Sequence, residues 1–543
     1  MAFRRPTLLL GCVTVALLHP NFVPFSQGQE PAPTNATGEA APIGIAAFQA
    51  GLKEFRAEQF GPAKKSFQAA ADTQTDALLK SHAYAWLART ELHLYDVNAA
   101  QKAAENAVDT ARESSNAQTA MAEVYFRQAK MAEAQQILIP LVKSQTAGAR
   151  TYLALAQIYR AIGNYKSAQA LVEAGHKMDP KDPDIGQLWL STQTRQERLK
   201  ELKIRLDENA GEGQQDQESL TQRISLLEDQ EKNPNHTCRL VNRVTKTETT
   251  LSPLLYDPHH IRGYGVEVKV NNTPATLLLD TGASGILVSS RIAEKAGLTK
   301  ITDRPIGGIG DEGPAKGYLA FASKVKIGEL EFENCYVTVV DKKRALKDDG
   351  LLGADVFQNY LVDLNFPDGK LHLFQLPAYP DELQAQPTLD TEPNAVGHLH
   401  NSWVPPDFTD FDKVYRFGHM LLLPVGLNKA PAHLFLLDTG AFDNQVAPAA
   451  ALEASKISQD YDIKVKGISG NVKTVFTTGN LLLTFGHFQQ RGDLVGFDMT
   501  GISNDTGTEI SGILGFAMLE LLDIKIDYRD HLVKFTFDAN RIH

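Results

Sequence analysis

The heptapeptide Leu277-Leu278-Leu279-Asp280-Thr281-Gly282-Ala283 returns as Phe435-Leu436-Leu437-Asp438-Thr439-Gly440-Ala441. Each copy carries an apolar, β-type run into an acid that stands on a tight turn permitted by glycine. A chain that folds as two equivalent halves can bring two such acids face to face. The tripeptide alone says little, because Asp505-Thr506-Gly507 lies in the polar stretch Ser503-Asn504 to Thr508-Glu509. With no buried strand in front of it, that copy is expected to be a loop.

The two strand-borne copies also share their downstream landmarks. About 28 residues on come the glycine-rich turns Gly307-Gly308-Ile309-Gly310 and Gly467-Ile468-Ser469-Gly470, and further on Gly350-Leu351-Leu352-Gly353 and Gly512-Ile513-Leu514-Gly515. The step from Gly353 to Phe366 equals that from Gly515 to Tyr528, and both lead into a strand, turn and strand. Four landmarks in one order at matching spacing are an internal duplication.

Asp-Thr-Gly-Ala behind an apolar strand, a glycine-rich hairpin and then apolar-apolar-Gly resembles the retropepsin-like aspartic peptidases. Two copies on one chain look like a fused, pepsin-like double lobe covering roughly residues 250 to 543. The resemblance implies that Asp280 and Asp438 are the catalytic pair, sharing one proton and activating a water, with neither metal nor cofactor. It implies that Thr281 and Thr439 lock the two turns, that Gly282 and Gly440 let the backbone pass closely, and that Gly353 and Gly515 pack beneath the acids. Gly307, Gly308, Ile309 and Gly310 become the candidate flap, with Gly467 to Gly470 a reduced match. Ala283 and Ala441 stand where pepsins carry Ser or Thr, as in retroviral-type enzymes. A hydroxyl there would favour the charged carboxylate, so its absence points to a less acidic pH optimum.

At 543 residues the chain is too long for one core. Its 43% apolar and 22% charged composition suits a soluble globular protein. The net charge of -11, without a long basic run, argues against a nucleic-acid partner. Arg4 and Arg5 precede the apolar run Leu8 to Leu18, and Ser26 and Gly28 suit cleavage, so residues 1–28 read as a signal peptide and the protein as exported, periplasmic or secreted. A lipoprotein signal is the second reading, but Cys12 lies early inside the apolar run. No segment reaches the length of a membrane-spanning helix. Cleavage would leave Cys238 and Cys335, which either pair in an oxidising compartment or are two separate small core residues. Neither has a partner at metal-ligand spacing.

After a flexible leader at 29–45, the chain becomes Ala-rich with helical period. The small residues Gly51, Ala88, Ala122 and Ala156 are each followed twelve positions later by Ala63, Ala100, Ala134 and Ala168, and the later steps are 34 residues. With Tyr125, Tyr159 and the closing Pro180, residues 46–193 resemble tetratricopeptide repeats stacked as an α-solenoid. Such a solenoid offers a concave surface to a protein or peptide partner. Residues 194–236 are strongly charged, with leucines at helical intervals broken by Gly211-Glu212-Gly213, and are expected to form two exposed linker helices.

The first lobe is placed at 237–376, a Pro-rich linker at 377–415 and the second lobe at 416–543. Both lobes read as mostly β. His398, His400 and Trp403 of the linker are expected in a solvated loop, and His259-His260 in a turn after Pro258. The expected architecture is therefore an all-α solenoid followed by two acid-protease-like lobes. The expected activity is aspartic endopeptidase, with a peptide or protein as substrate. A non-catalytic exported adaptor built on a pseudoprotease is the alternative, and a third arrangement pairs each lobe with its counterpart in another chain. The chain has no Gly-x-Ser-x-Gly elbow, no His-Glu-x-x-His pair and no Gly-x-x-x-x-Gly-Lys loop.

Overall fold

A computed structural model describes residues 43–208, 214–233, 236, 238–242, 244–340, 348–380, 399–460 and 462–538. The expected signal peptide, Cys12, most of the leader, Thr237 and His398 lie outside these residues. Eight helices form four antiparallel pairs: α1 (Ile43–Arg56) with α2 (Phe60–Thr73), α3 (Ala77–His93) with α4 (Val97–Thr110), α5 (Ser115–Arg127) with α6 (Met131–Lys143), and α7 (Ala149–Ala161) with α8 (Tyr165–Met178). Helix starts are written into the sequence. Asp76, Asp96 and Ser114 each accept a hydrogen bond from the backbone amide three residues on. The turns inside the pairs hold Glu58, Tyr95, Ala129 and Gly163 in the left-handed region, the last three at the same 34-residue step.

The small residues singled out by the repeat lie where helices touch. Ala63, Ala88, Ala100, Ala122, Ala134 and Ala156 are buried, and a Cβ on Gly51 would stand 2.8 Å from the Phe67 ring. Charge pins the stack as well. Buried Arg89 donates to Glu123 at 2.7 Å, Glu123 also accepts from Arg150 at 2.9 Å, and Arg150 reaches Asp182 at 3.0 Å. Removing one member would strand a buried charge, at a cost of about 3–5 kcal/mol.

After α9 (Pro183–Leu190), helices α10 (Arg195–Glu208) and α11 (Gln214–Lys232) form a hairpin. They are not freely exposed: Leu202, Ile224 and Leu227 pack with Leu190 in a small core. Tyr336 donates to Asp229 of α11 at 2.7 Å, which ties the hairpin to the first lobe. Among the described residues no helix is long and apolar enough to cross a membrane.

Two β-rich lobes come next, and their central layers are built alike. In the first, strand Gly350–Gly353 lies between Thr273–Asp280, parallel to it, and Ile286–Ser289, antiparallel. In the second, Gly512–Leu514 lies between His433–Leu437, parallel, and Gln445–Val446, antiparallel. The strand, turn and strand that follow each landmark glycine join in one six-stranded sheet shared by the two lobes. At its centre Tyr360–Asn365 pairs antiparallel with Asp523–Asp527, Leu364 opposite Ile524 and Val362 opposite Ile526. Those four residues are buried in the common core of both lobes, each contributing about 1.5–3 kcal/mol by leaving water. Cys238 and Cys335 are joined as a disulfide that holds the first lobe's leading strand, Arg239–Leu240, to Leu330–Val340.

Two expected loops are structured. Asp505-Thr506 end a short helix, Thr500–Thr506, whose capping Gly507 is left-handed. At seven residues the helix is only about two turns long, too short to show a helical period against its polar composition, which is why local polarity misread it. The end of the linker is also anchored: the His400 ring stacks on Tyr379 at 3.9 Å, the His400 carbonyl accepts from Lys166 N, and Trp403 N donates to buried Asp530 at 2.8 Å. His259 and His260 do lie at a turn, where their amides donate to Asp257.

The helical region docks on the second lobe through the turns of its last two pairs. Thr508 Oγ1 donates to Phe126 O at 2.7 Å and Glu509 N to Arg127 O at 2.8 Å. Farther along, Tyr165 OH meets His531 Nε2 and Ala161 O meets His531 Nδ1, both at 3.0 Å.

Candidate active site

Asp280 ends strand Thr273–Asp280, directly opposite Gly353, and Asp438 follows His433–Leu437. Leu279, Leu352, Leu437 and Leu514 are buried beneath them, so neither strand end can shift without exposing apolar surface. The two turns then grip each other. Thr281 N donates to Thr439 Oγ1 at 3.1 Å and Thr439 N to Thr281 Oγ1 at 3.0 Å. Each hydroxyl donates onward to the carbonyl of the residue before the opposite acid, Thr281 to Leu437 at 2.8 Å and Thr439 to Leu279 at 2.9 Å. Every donor is satisfied across the lobe boundary, so the turns form as a unit.

Glycine follows each threonine because nothing larger fits. A Cβ on Gly282 would stand 2.6 Å from the Asp438 carboxyl carbon, and one on Gly440 would meet the Asp280 carboxyl still closer. Each acid thus lies against the other's turn, 9% and 8% exposed. Burial, and next the Asp438 charge beside it, push Asp280 well above the ordinary aspartate value. Burial raises Asp438 as well, but the Asp280 hydrogen bond and the Gly440 and Ala441 amides favour its charged form. Those amides donate to Asp438 Oδ1 at 2.8 and 3.1 Å, and Gly282 N donates to Asp280 Oδ1 at 2.8 Å. The pair titrates as a unit with one shared proton, and the second amide on Asp438 biases the negative charge toward it.

Gly353 and Gly515 sit beneath the turns, where a Cβ on Gly353 would collide with the Ala283 carbonyl. Beside Gly353, Asp355 accepts from Gly285 N at 2.8 Å and Ser284 Oγ at 3.2 Å. The second half uses Asn444, whose side chain accepts from Gly515 N at 2.9 Å. Neither residue was singled out from sequence, although each lies within a few positions of a landmark. His419 was also missed: its Nε2 lies 3.0 Å from the Gly282 carbonyl oxygen. Nothing in the spacing ties a histidine ahead of the second acid to the turn of the first.

The candidate flap is a hairpin tip closed at its base by Ile306 pairing with Ala315. It meets the second lobe's match directly. Ser469 N donates to Ile309 O at 3.0 Å, Glu312 N to Ser469 O at 2.8 Å and Asp311 N to Asn471 O at 3.1 Å. Gly308 lies against Ile468. Among the described residues no group of three or more His, Cys, Asp or Glu is arranged to hold a metal ion.

Two interlocked Asp-Thr-Gly turns on buried strands define an aspartyl protease type of site, on a two-lobed acid-protease fold behind an all-helical region. Residues 266–356, from the strand before Asp280 to the residue after Asp355, match the family model described as "Aspartyl protease". The "DNA damage-inducible protein 1" of Neurospora crassa is 36% identical over 97 residues, 18% of this chain and 21% of that protein. The chain spans 21% to 40% of the length of such relatives. Among solved structures, the aspartic proteinase from Irpex lacteus is 14% identical, covering 54% of this chain and 98% of that one with a TM-score of 0.33. A retropepsin-like aspartic protease from Rickettsia conorii is 21% identical, covering 25% and 92% with a TM-score of 0.18.

Proposed function

We propose that this protein is an aspartic endopeptidase whose single dyad, Asp280 and Asp438, hydrolyses peptide bonds. The observation that carries this reading is the cross-lobe lock that buries both acids against each other with room for one shared proton. Asp438 takes a proton from a water, whose oxygen attacks the scissile carbonyl, while Asp280 gives its proton to the carbonyl oxygen. The resulting diol returns one hydroxyl proton to Asp280 as the leaving nitrogen takes the proton held on Asp438, so the pair ends with one proton as it began. Residues Gly307 to Gly310, with Gly467 to Gly470, close over an extended peptide. That both acids meet within one chain favours one internal dyad over lobes paired between chains.

The helical repeats recruit the protein that is cut. Their first two pairs support this, because the second pair's turn leaves Leu94 and Tyr95 39% and 58% exposed while the matching later turns are covered by the second lobe. The disulfide Cys238–Cys335 supports an exported protein working in an oxidising compartment.

The test is cleavage of a mixed peptide library from pH 3 to 8 by the protein and by Asp280→Asn and Asp438→Asn, with and without pepstatin. Either substitution should reduce turnover by about 10³-fold or more. Absence of turnover at every pH from folded protein would sink the peptidase reading in favour of a peptide-binding adaptor.

A further inference from the structure

His419 stands in the site with no part in the chemistry above. It occupies the tight turn between strands Tyr415–Phe417 and Met420–Leu427. Gly418 there is left-handed with φ 62°, and Arg416 Nε donates to its carbonyl at 2.8 Å. Arg416 also donates to Tyr528 O at 2.7 Å and to Gln358 at 3.0 Å, so the turn is tied to both lobes. From it the imidazole Nε2 donates to the Gly282 carbonyl. That carbonyl shares a residue with the amide that holds Asp280 and with the space against which Asp438 rests, so pinning it fixes both acids.

Burial holds the ring below the ordinary histidine value; of the charged groups acting on it, Asp355 and Asp438 favour its protonation and Arg416 opposes it. Behind the hairpin stands the helical region. Helix α7 packs on Tyr415–Phe417, Phe126 of α5 lies against Phe417 with ring centres 6.1 Å apart, and Glu133 of α6 acts on Tyr415. One continuous set of contacts therefore runs from the solenoid through the hairpin to the dyad. The first lobe lacks this arrangement. Leu422 faces Leu436 as Gly265 faces Leu278, so the position matching His419 is Arg262, which pairs with Asp348.

We propose that His419 is a positioning residue for the dyad and that the helical region holds it in place through the Tyr415–Leu427 hairpin. The proposal rests on the peptidase reading. Its test is kcat, KM and the pH profile of the full chain on a peptide it cleaves, comparing His419→Ala, His419→Gln, Phe126→Ala and the Phe126→Ala/His419→Ala double variant. His419→Ala should lower kcat by about tenfold, the worth of one hydrogen bond, with KM within about twofold. His419→Gln keeps a donor and should recover most of kcat. It should still move the acid limb to higher pH, because a protonated histidine no longer favours charged Asp438. Phe126→Ala should lower kcat less, and its effect should disappear in the His419→Ala background.

An unchanged kcat and pH profile in His419→Ala would overturn the positioning role, and a full Phe126→Ala effect in the double variant would overturn the link to the helices. The ring's own titration, followed by NMR on protein with labelled histidine, keeps the inference testable without turnover. It should fall to lower pH in Asp438→Asn, and a titration unmoved by that substitution would also overturn the assignment. Should the wild-type chain cleave nothing while the ring responds as expected, the peptidase reading fails and the coupling stands.

Discussion

The two halves of the duplication keep the same acid, threonine and glycine, and their strands enter the site in the same register, yet they diverge outward from it. The first half supports its turn with Asp355, carries 11-residue strands behind its flap and is closed by the Cys238–Cys335 disulfide. The second supports its turn with Asn444, has a flap hairpin of two-residue strands and is covered by the helical region. The sharpest divergence lies on the line relating the halves. Asp363 and Lys525 lie at the same step after Gly353 and Gly515, and the shared sheet sets them directly opposite each other. An acid kept in both halves would face itself there. Instead Lys525 Nζ lies 3.7 Å from Asp363 Oδ2, so the two-fold constraint that forces identity at the threonines forces complementarity here.

Making the halves identical at that line should break the molecule most. Lys525→Asp would set a new carboxylate opposite buried Asp363, beside Asp523, which burial and Asp363 already push up to about 7. His372 Nδ1, 3.6 Å from Asp363 Oδ2, stays beside the pair. The expected loss is about 3–5 kcal/mol in denaturant titration at pH 7, and it should shrink at pH 4, where the added acid can take a proton. A loss below about 1 kcal/mol would mean the sheet does not bind the lobes as described.

The second comparison is between the two acids of the interlocked turns. Asp280 holds a proton in the folded state that the unfolded chain releases above its ordinary value of 3.8. Folded protein therefore binds more protons than unfolded, and this group's contribution to stability falls as pH rises above about 4. Asp280→Asn removes that fall, so the variant should be more stable than wild type at pH 7 and lose its advantage near pH 3. Asp438→Asn should gain less, since Asp438 sits among donors that favour its charge. Equal gains in thermal midpoint across pH would mean that the proton is not placed asymmetrically.

The conspicuous parts of this site are legible in the sequence because each needs a particular residue type. An acid at a strand end, a threonine whose hydroxyl both donates and accepts, and a glycine with no room for a side chain recur at one spacing in both halves. Asp355, Asn444 and His419 are not legible in that way. Each acts through one hydrogen bond to a backbone group whose position is set by distant strands, and other residue types could serve. The shared sheet was hidden for a related reason: alternation in Val362–Phe366 and Ile524–Tyr528 identifies strands but not their partners. The helices α10 and α11 look exposed because charge dominates their composition, while Leu202, Ile224 and Leu227 suffice to bury one seam.

The two candidate flap hairpins give the smallest expected effect and the finest test of the comparison. Sequence alone ranks them unequally, a full hairpin against a reduced one, but the structure makes them partners. Glu312 of the first accepts from the backbone and side-chain nitrogens of Asn471 at 3.2 and 3.0 Å, and Asp311 accepts from Lys473 N at 2.8 Å. These carboxylates lie at the surface, where such bonds are worth well under about 1 kcal/mol each beside water. Glu312→Gln removes the charge and keeps an acceptor, so it should change kcat/KM by less than about twofold. Glu312→Ala removes both and should speed amide exchange at Asn471 and change KM by about two- to threefold, with kcat nearly constant. A change confined to the first flap, leaving exchange at Asn471 untouched, would show that the short hairpin stands alone and that only one half supplies the lid. Matching changes in both would show that two unequal hairpins work as one cover.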